Sequence, residues 1–149
     1  AMWWPGPTPA TWAEAHNSPG SIVSGVAWAL AEGEQGGTRQ AQTYFTVANT
    51  SSGAGTVQVT LLFEDGTTAA RTFTVPGTSR FNVDVPWAFS VAGGYTTDLF
   101  PGGTDKRFGA VIESLGATPA QIVGERPMYF TANGVAWGAG TDALATRIR

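Results

Sequence analysis

Cysteine is absent from this chain of 149 residues, and charged side chains are scarce. Without cysteine the chain can form neither a disulfide nor a thiolate metal site. Asp, Glu, Lys and Arg together make up 13% of the residues, against about 25% in typical globular domains, and Lys106 is the only lysine. Glycine, with 20 residues, is abundant instead. This composition is typical of an extracellular β-rich protein.

Excess positive charge and long apolar runs are also lacking. The formal net charge is −3, so no basic surface is available to neutralise phosphates, and we expect no nucleic acid partner. No apolar stretch approaches the roughly 20 residues that cross a bilayer, so we expect no membrane insertion. The length suits one domain of ordinary size.

Alternation of apolar and polar residues dominates the middle of the chain, most clearly in TVQVTLLFEDGTTAARTFTV. A period of two residues predicts β-strands. Asp65 and Gly66, between the two runs, predict a tight hairpin turn in which both residues have positive φ. Pro76 and Gly77 suit a second turn, after which RFNVDV predicts a third strand of the same meander.

Further strands are predicted in VAWALAEG, AQTYFTVANT, RFGAVIESLG and QIVGERPMYFT, which brings the total to about seven. This pattern predicts an all-β fold, an antiparallel β-sandwich formed by residues 26–149. Residues 1–25 are expected to be a linker arm or the tail of an upstream repeat. Residues 86–107 do not follow the strand pattern, and they predict one long aromatic-rich loop. Loops of this length are often functional.

The two ends of the chain resemble each other. AMWW near the start matches PMYF at an offset of 126 residues, and Trp12 and Asn17 match Trp137 and Asp142 at an offset of 125. Self-similarity at a fixed period is the sequence signature of a tandem array. The sequence therefore predicts one repeat of about 125 residues, preceded by the closing strand of its upstream neighbour.

Four motifs follow one another in the same order as in a known family of proteins: WALAEGEQGG, YFTVANTSSGAGTVQVTLLFEDGTTAARTFTVPGTSRFNVDV, GAVIESLGATPAQIVGERPMYF and ALATRIR. Residues 26–149 thereby resemble the repeat module of large secreted bacterial proteins in which Ig-like sandwich domains follow one another. The resemblance implies an Ig-like β-sandwich and a secreted or cell-surface location. It also implies a non-catalytic structural or adhesive role, with neighbouring repeats of the same chain as partners and no cofactor.

Residues that could carry chemistry are few. His16 is the only histidine, and we expect it to be a surface or turn residue rather than a metal ligand or base. Glu32 and Glu34 could pair as acid and base, but the glycines beside them favour a solvated strand end. Glu113, Glu125 and Arg126 interrupt two strands that are expected to be neighbours, and they favour a cross-strand ion pair. We predict neither catalytic residues nor a metal site.

Six tryptophans leave two functional interpretations open. Trp28 alternates within a strand and is expected in the core. Tryptophans at the two matching ends are expected to pack between repeats, namely Trp3, Trp4, Trp12 and Trp137. Alternatively, the chain is a carbohydrate-binding module in which Trp87, Tyr95 and Phe100 of the long loop form an exposed platform that stacks on a polysaccharide.

Two copies of one closing strand raise the question of which copy completes the sandwich. An uncovered sheet edge invites pairing with another chain, so AMWW could reach a neighbouring molecule and cause self-association by strand donation. We expect instead that PMYF closes its own sheet, because that strand is continuous with QIVGER and loses no association entropy.

Overall fold

A computed structural model of the chain describes residues 2–5 and 12–149, and side chains from Ala15 onward. The described part is almost entirely β-structure. Its strands are β1 (Met2–Pro5), β2 (Trp12–His16), β3 (Ala27–Gln35), β4 (Gln42–Asn49), β5 (Gly55–Phe63), β6 (Thr68–Val75), β7 (Ser79–Asp84), β8 (Lys106–Leu115), β9 (Ile122–Ala132), β10 (Val135–Leu144) and β11 (Thr146–Arg147). One short helix, α1 (Val85–Ala88), follows β7, and a 3-10 turn spans Pro101–Gly103.

Two antiparallel sheets form a sandwich, which confirms the predicted fold class. One sheet has four strands in the order β10-β9-β4-β7, and the other has five in the order β11-β3-β8-β5-β6. β1 and β2 form a separate antiparallel hairpin, and β2 lies against β10. Three described strands were not predicted as such: β2, β10 and β11.

The core lies between the sheets because alternate residues of each strand point inward. In β4 the inward residues are Thr43, Phe45, Val47 and Asn49, all buried, while the intervening residues are partly exposed. The main cluster also contains inward side chains of the other sheet, among them Val57, Val59, Leu61, Phe108 and Ile112.

Trp28 joins the two sheets. Its side chain is 2% exposed, and its indole Nε1 donates a hydrogen bond of 2.8 Å to the Ile122 carbonyl on β9. The predicted burial of Trp28 is confirmed. Because the partner lies in the opposite sheet, this bond fixes β3 relative to β9 as well as satisfying a buried donor.

The β5-β6 hairpin is confirmed, but its turn differs from the predicted one. Phe63 and Thr67 close the turn, since the Phe63 N–H donates to the Thr67 carbonyl. Only Gly66, at φ +81°, has positive φ. Asp65 instead accepts hydrogen bonds from the N–H and hydroxyl of Thr67 through its carboxylate. This is a three-residue hairpin loop with glycine in the left-handed position.

The predicted three-stranded meander is wrong, because β7 pairs with β4 in the opposite sheet. The buried side chain of Asn49 stabilises this crossing, since its Nδ2 donates to the carbonyls of Val75 and Pro76. Gly77 lies so close to the Ser52 carbonyl that a β-carbon would be 2.0 Å from that oxygen. The chain therefore changes sheets at this corner instead of turning back.

The long segment after β7 is anchored rather than structureless. Asp84 caps α1 by accepting from the Trp87 N–H at 3.3 Å, and Pro86 occupies the first turn, where its missing N–H costs nothing. The guanidinium of Arg71 on β6 donates to the carbonyls of Ala88 and Gly93. Residues 85–105 thus pack as an excursion over one end of the sandwich.

Gly66→Ala should destabilise the fold by about 1–2 kcal/mol, because an L-residue is disfavoured at positive φ. Gly53→Ala is the matched control, since a β-carbon meets no atom within 4 Å at either position and only Gly66 has positive φ. We expect the control to change the free energy of unfolding by less than about 0.5 kcal/mol. Equal urea midpoints for the two variants would contradict the assigned turn.

Trp28→Ala should cost about 3–5 kcal/mol, because it removes a large buried side chain. Trp87→Ala, at a side chain that is 56% exposed, should cost less than about 1 kcal/mol. Urea unfolding measures both. Acrylamide quenching of single-tryptophan chains gives a second check, and faster quenching of Trp28 than of Trp87 would refute the assignment.

Candidate functional site

The outer face of the four-stranded sheet contains a cavity of about 310 Å³ that opens to solvent. Strand alternation produces it, because residues between the inward positions of β4, β7 and β9 point to this face. The lining residues are Tyr44, Thr46, Arg80, Asn82, Glu125, Pro127, Tyr129, Trp137, Asp142 and, from β2, His16.

Three aromatic rings form one wall of the cavity. Tyr129 and Trp137 are stacked, with ring centroids 5.0 Å apart and planes at 25°. Tyr44 meets both rings edge-on, at 6.0 Å from Tyr129 and 6.2 Å from Trp137. The Trp137 indole Nε1 also donates to Gln42 Oε1 at 2.9 Å. Contacts with Tyr129, Tyr44 and Gln42 therefore fix the orientation of the indole.

The backbone of β10 is irregular where it carries Trp137. Pairing with β9 shifts between Val135 and Ala139, and Trp137 has φ +57°. A bulky residue seldom adopts this conformation, and bulges of this kind re-aim side chains. Here the irregularity places the indole over Tyr129.

Two carboxyl groups of the lining, those of Glu125 and Asp142, lie close together. Burial, the largest cause, and the neighbouring Glu125 raise the pKa of the Asp142 carboxyl above its ordinary value, whereas the charge of His16 lowers it. Glu125 also accepts a hydrogen bond from the Ser18 hydroxyl. Asp142 Oδ1 is buried and has no hydrogen-bond partner within the described part of the chain.

Arg80 and Asn82 form the polar rim contributed by β7. Both side chains are exposed. Asn82 Oδ1 accepts from the Thr46 hydroxyl at 3.2 Å. Among the side chains described from Ala15 onward, no carboxylate lies within ion-pair distance of the Arg80 guanidinium. The rim therefore offers a cation and an amide as hydrogen-bond donors.

His16 and Ser18 bring the N-terminal segment to this site. The His16 ring lies 5.5 Å from that of Tyr129 at 48°, and Ser18 binds Glu125 as above. His16 is half-buried and is the last residue of β2, so it lies at the end of a strand rather than in a turn. Within the described residues, no group of three His, Asp or Glu side chains could hold a metal ion.

The predicted aromatic platform of the long loop is only partly exposed. Trp87 is exposed. Tyr95 packs edge-on against Phe89 with ring centroids 5.2 Å apart, and Phe100 lies 5.9 Å from Phe108. Both rings are half-buried against the core cluster. A stack of three exposed rings is therefore not formed, and ligand binding at this loop stays a prediction.

The residues predicted to pack between repeats are partly described. Trp137 lies in the cavity wall, and the backbones of Trp3, Trp4 and Trp12 lie in the β1-β2 hairpin. The side chains of these three tryptophans fall outside the described part of the structure. Their predicted packing is therefore untested.

The predicted ion pair between neighbouring strands is wrong, because β8 and β9 lie in different sheets. Arg126, 1% exposed, instead reaches across the sandwich to Glu32 on β3 with an Nη2 to Oε1 distance of 2.8 Å. Glu113 pairs with Arg149 at 3.3 Å. Glu34, expected at a solvated strand end, is buried and binds Arg39.

Sequence reasoning named several residues of this cavity for other reasons and missed Tyr44, Thr46, Arg80 and Asn82. A signal was present in the alternation of β4 and β7, whose outward positions carry aromatic and hydrogen-bonding side chains. The sequence alone could not pair these strands, because the turn signal of Pro76 and Gly77 predicts that β7 follows β6 in the same sheet.

No described helix has the length and apolar character needed to cross a bilayer. Comparison with family models and with curated proteins finds no match. Among solved structures, the chain is similar to "Crystal Structure of Thermotoga maritima 1070", with a TM-score of 0.59 and 14% identity over 81% of this chain and 92% of that one. A second likeness is to the Anabaena sensory rhodopsin transducer, with a TM-score of 0.46 and 23% identity over 66% of this chain and 90% of that one. At these identities the likeness concerns the fold alone.

Asp142→Asn should change how stability depends on pH. A raised pKa means that the folded chain holds this proton more tightly than the unfolded chain, so the stabilising contribution is complete below about pH 3.8 and is lost as pH rises through the raised pKa. The variant should therefore gain stability relative to the parent between pH 3.5 and pH 7 in urea titrations. Glu64→Gln, exposed in the β5-β6 turn, serves as the control. Parallel pH profiles for Asp142→Asn and the parent would contradict the assignment.

Proposed function

We propose that this chain is a non-catalytic structural or adhesive repeat module of a larger secreted or cell-surface bacterial protein, and that consecutive repeats dock through their closing hairpins. The observation that carries the proposal is the pairing of the two hairpins. The first pairs Met2 with His16 and Trp4 with Glu14. The second pairs residues 128 and 130 with residues 141 and 139 in the corresponding way.

The register of the two hairpins supports a structural duplication. The first strands of the two hairpins, β1 and the end of β9, are offset by 126 residues, and the second strands, β2 and β10, are offset by 125. These are the offsets found between the matching sequence motifs. The pairing of both hairpins is also irregular at one point, between Trp4 and Pro5 in one and between Val135 and Ala139 in the other. Two unrelated hairpins would have no reason to share this register.

Contact between the hairpins supports docking. β2 of the first hairpin lies against β10 of the second, and Ser18 and His16 contact Glu125 and Tyr129. A repeat unit stabilises its neighbour when an interface of this kind is buried between them. Each hairpin would then contact the preceding one and the following one.

Residues near the two ends of the sandwich segment also lie side by side. The N–H groups of Val26 and Ala27 donate to the Arg149 carbonyl at 2.8 and 3.1 Å. A repeat that begins near residue 25 and ends near residue 149 thus starts and finishes at one place. This favours sandwiches that stand beside one another along a row of hairpins over sandwiches joined end to end.

Glu32 and Glu34 are the carboxylates whose spacing in the sequence best suits acid-base chemistry. Both are engaged in ion pairs, which supports the non-catalytic part of the proposal. Glu32 binds Arg126, and Glu34 binds Arg39 and lies 3.9 Å from Arg107. Side chains held by arginine in this way are typical of structural ion pairs. The secreted or cell-surface location depends on composition and on the family resemblance.

A chain in which a second copy of residues 25–149 follows Arg149 tests the docking. Positions 141 and 143 of the first copy correspond to His16 and Ser18 but carry Thr and Ala, so the test chain also carries Thr141→His and Ala143→Ser. We expect one cooperative urea transition with a midpoint above that of the single chain, because coupled repeats gain an interface term. The unsubstituted two-copy chain is the matched control and should be less stable. Two-copy chains that both unfold like the single chain would refute the docking.

A further inference from the structure

We propose that the cavity on the outer face of the four-stranded sheet binds a neutral sugar residue. This site is distinct from the loop 86–107, and it goes beyond the structural role proposed above. It does not depend on that role, because the residues that carry the argument come from β4, β7, β9 and β10 of one sandwich. Three properties of the cavity support the proposal: an aromatic wall, unpaired polar groups and mixed charge.

The aromatic wall supplies the surface on which a sugar ring stacks. Tyr44 and Trp137 are partly exposed, and the buried ring of Tyr129 lies behind them. One face of a pyranose ring consists of C–H groups, which pack on planar aromatic surface, as do other apolar groups. Because Trp137 is stacked on Tyr129 and bonded to Gln42, the wall is ordered before the ligand arrives, which reduces the entropy lost on binding.

The polar groups require a ligand that both donates and accepts hydrogen bonds. Asp142 Oδ1 is a buried acceptor with no described partner, while Arg80 and the Asn82 amide, which β7 contributes to the lining, are donors. A hydroxyl group donates to the first and accepts from the other two. Adjacent hydroxyls of a sugar therefore match groups that a purely apolar ligand would leave unpaired, at a cost in free energy.

The charge distribution favours a neutral ligand over a charged one. Glu125 and Asp142 lie together on one wall and would repel a carboxylate or phosphate. Arg80 stands on the rim without an ion-pair partner among the described residues and would repel a cation. An uncharged ligand with several hydroxyl groups experiences neither repulsion. Its hydroxyls can donate to the carboxyl groups and accept from the Arg80 guanidinium.

The place of the cavity in the sheet excludes binding by strand addition. β4 is paired on both sides, with β7 and with β9, and β9 is paired with β4 and β10. The backbone groups beneath the cavity are thus already used in the sheet, so side chains must recognise the ligand. The volume of about 310 Å³ is at the small end of ligand pockets, which suits one or two sugar rings.

Titration of the intact chain with methyl glycosides of glucose, galactose, mannose, xylose and N-acetylglucosamine tests the proposal. Two-dimensional NMR of the indole N–H signals reports on each tryptophan, with Trp137→Phe and Trp87→Phe used for assignment. At least one neutral glycoside should shift the Trp137 signal with a Kd on the order of 1 mM or tighter and leave the Trp87 signal in place. Glucuronate should bind more weakly than glucoside because of Glu125 and Asp142.

Asn82→Ala and Trp87→Ala form the variant pair, since both side chains are exposed. The first should weaken binding by about three- to tenfold, the loss expected for one hydrogen bond. The second should change the Kd by less than about twofold. Absence of any shift with all five glycosides at 50 mM, a concentration on the order of 50 times the expected Kd, would overturn the proposal. Loss of binding in Trp87→Ala but not in Asn82→Ala would overturn it in favour of the loop.

Discussion

The contact between Trp28 and β9 is the constraint on which the rest of the structure depends. A fully buried indole packs between the sheets, and its N–H donates to the Ile122 carbonyl at the start of β9. Gly124, the next inward residue, lies beside it, since a β-carbon there would be in van der Waals contact with the Trp28 Cβ at 3.5 Å. With this end of β9 fixed, the face of the sheet to which each later side chain of β9 points is fixed as well, because side chains alternate along a strand. Arg126 and Met128 then point inward, and Glu125 and Tyr129 point to the outer face.

β9 thereby connects the interior, the cavity and the hairpin. Its inward Arg126 is buried and binds Glu32 on the opposite sheet, whose side chain is 72% exposed. Removing Glu32 would leave the buried guanidinium without this partner. Its outward Glu125 and Tyr129 line the cavity, and its last residues pair with β10 to form the second hairpin. The two proposals share this strand, since the residues that contact His16 and Ser18 of the first hairpin also line the cavity.

Local sequence patterns predicted the features that depend on neighbouring residues. Alternation identified the strands from β3 to β9, Gly66 marked the β5-β6 turn, and Trp28 was assigned to the core. These predictions succeeded because side-chain periodicity and turn geometry are set within a few residues. The predictions that failed concerned partners of strands. Pro76 and Gly77 suited a turn within one sheet, but the Asn49 side chain stabilises a crossing to the other.

The sequence by itself determined the all-β class, the hairpin turn, the buried tryptophan and the matching ends. Each of these follows from residue types, from the alternation of apolar and polar residues or from the offset between two motifs. Only the tertiary structure decided that β7 pairs with β4, that Arg126 binds Glu32, and that Tyr44, Asn82 and Asp142 line one cavity. These residues are 38 to 98 positions apart, and no periodicity connects them. Their proximity results from how two sheets pack around a common core, where long-range contacts become favourable only after the intervening chain has been ordered.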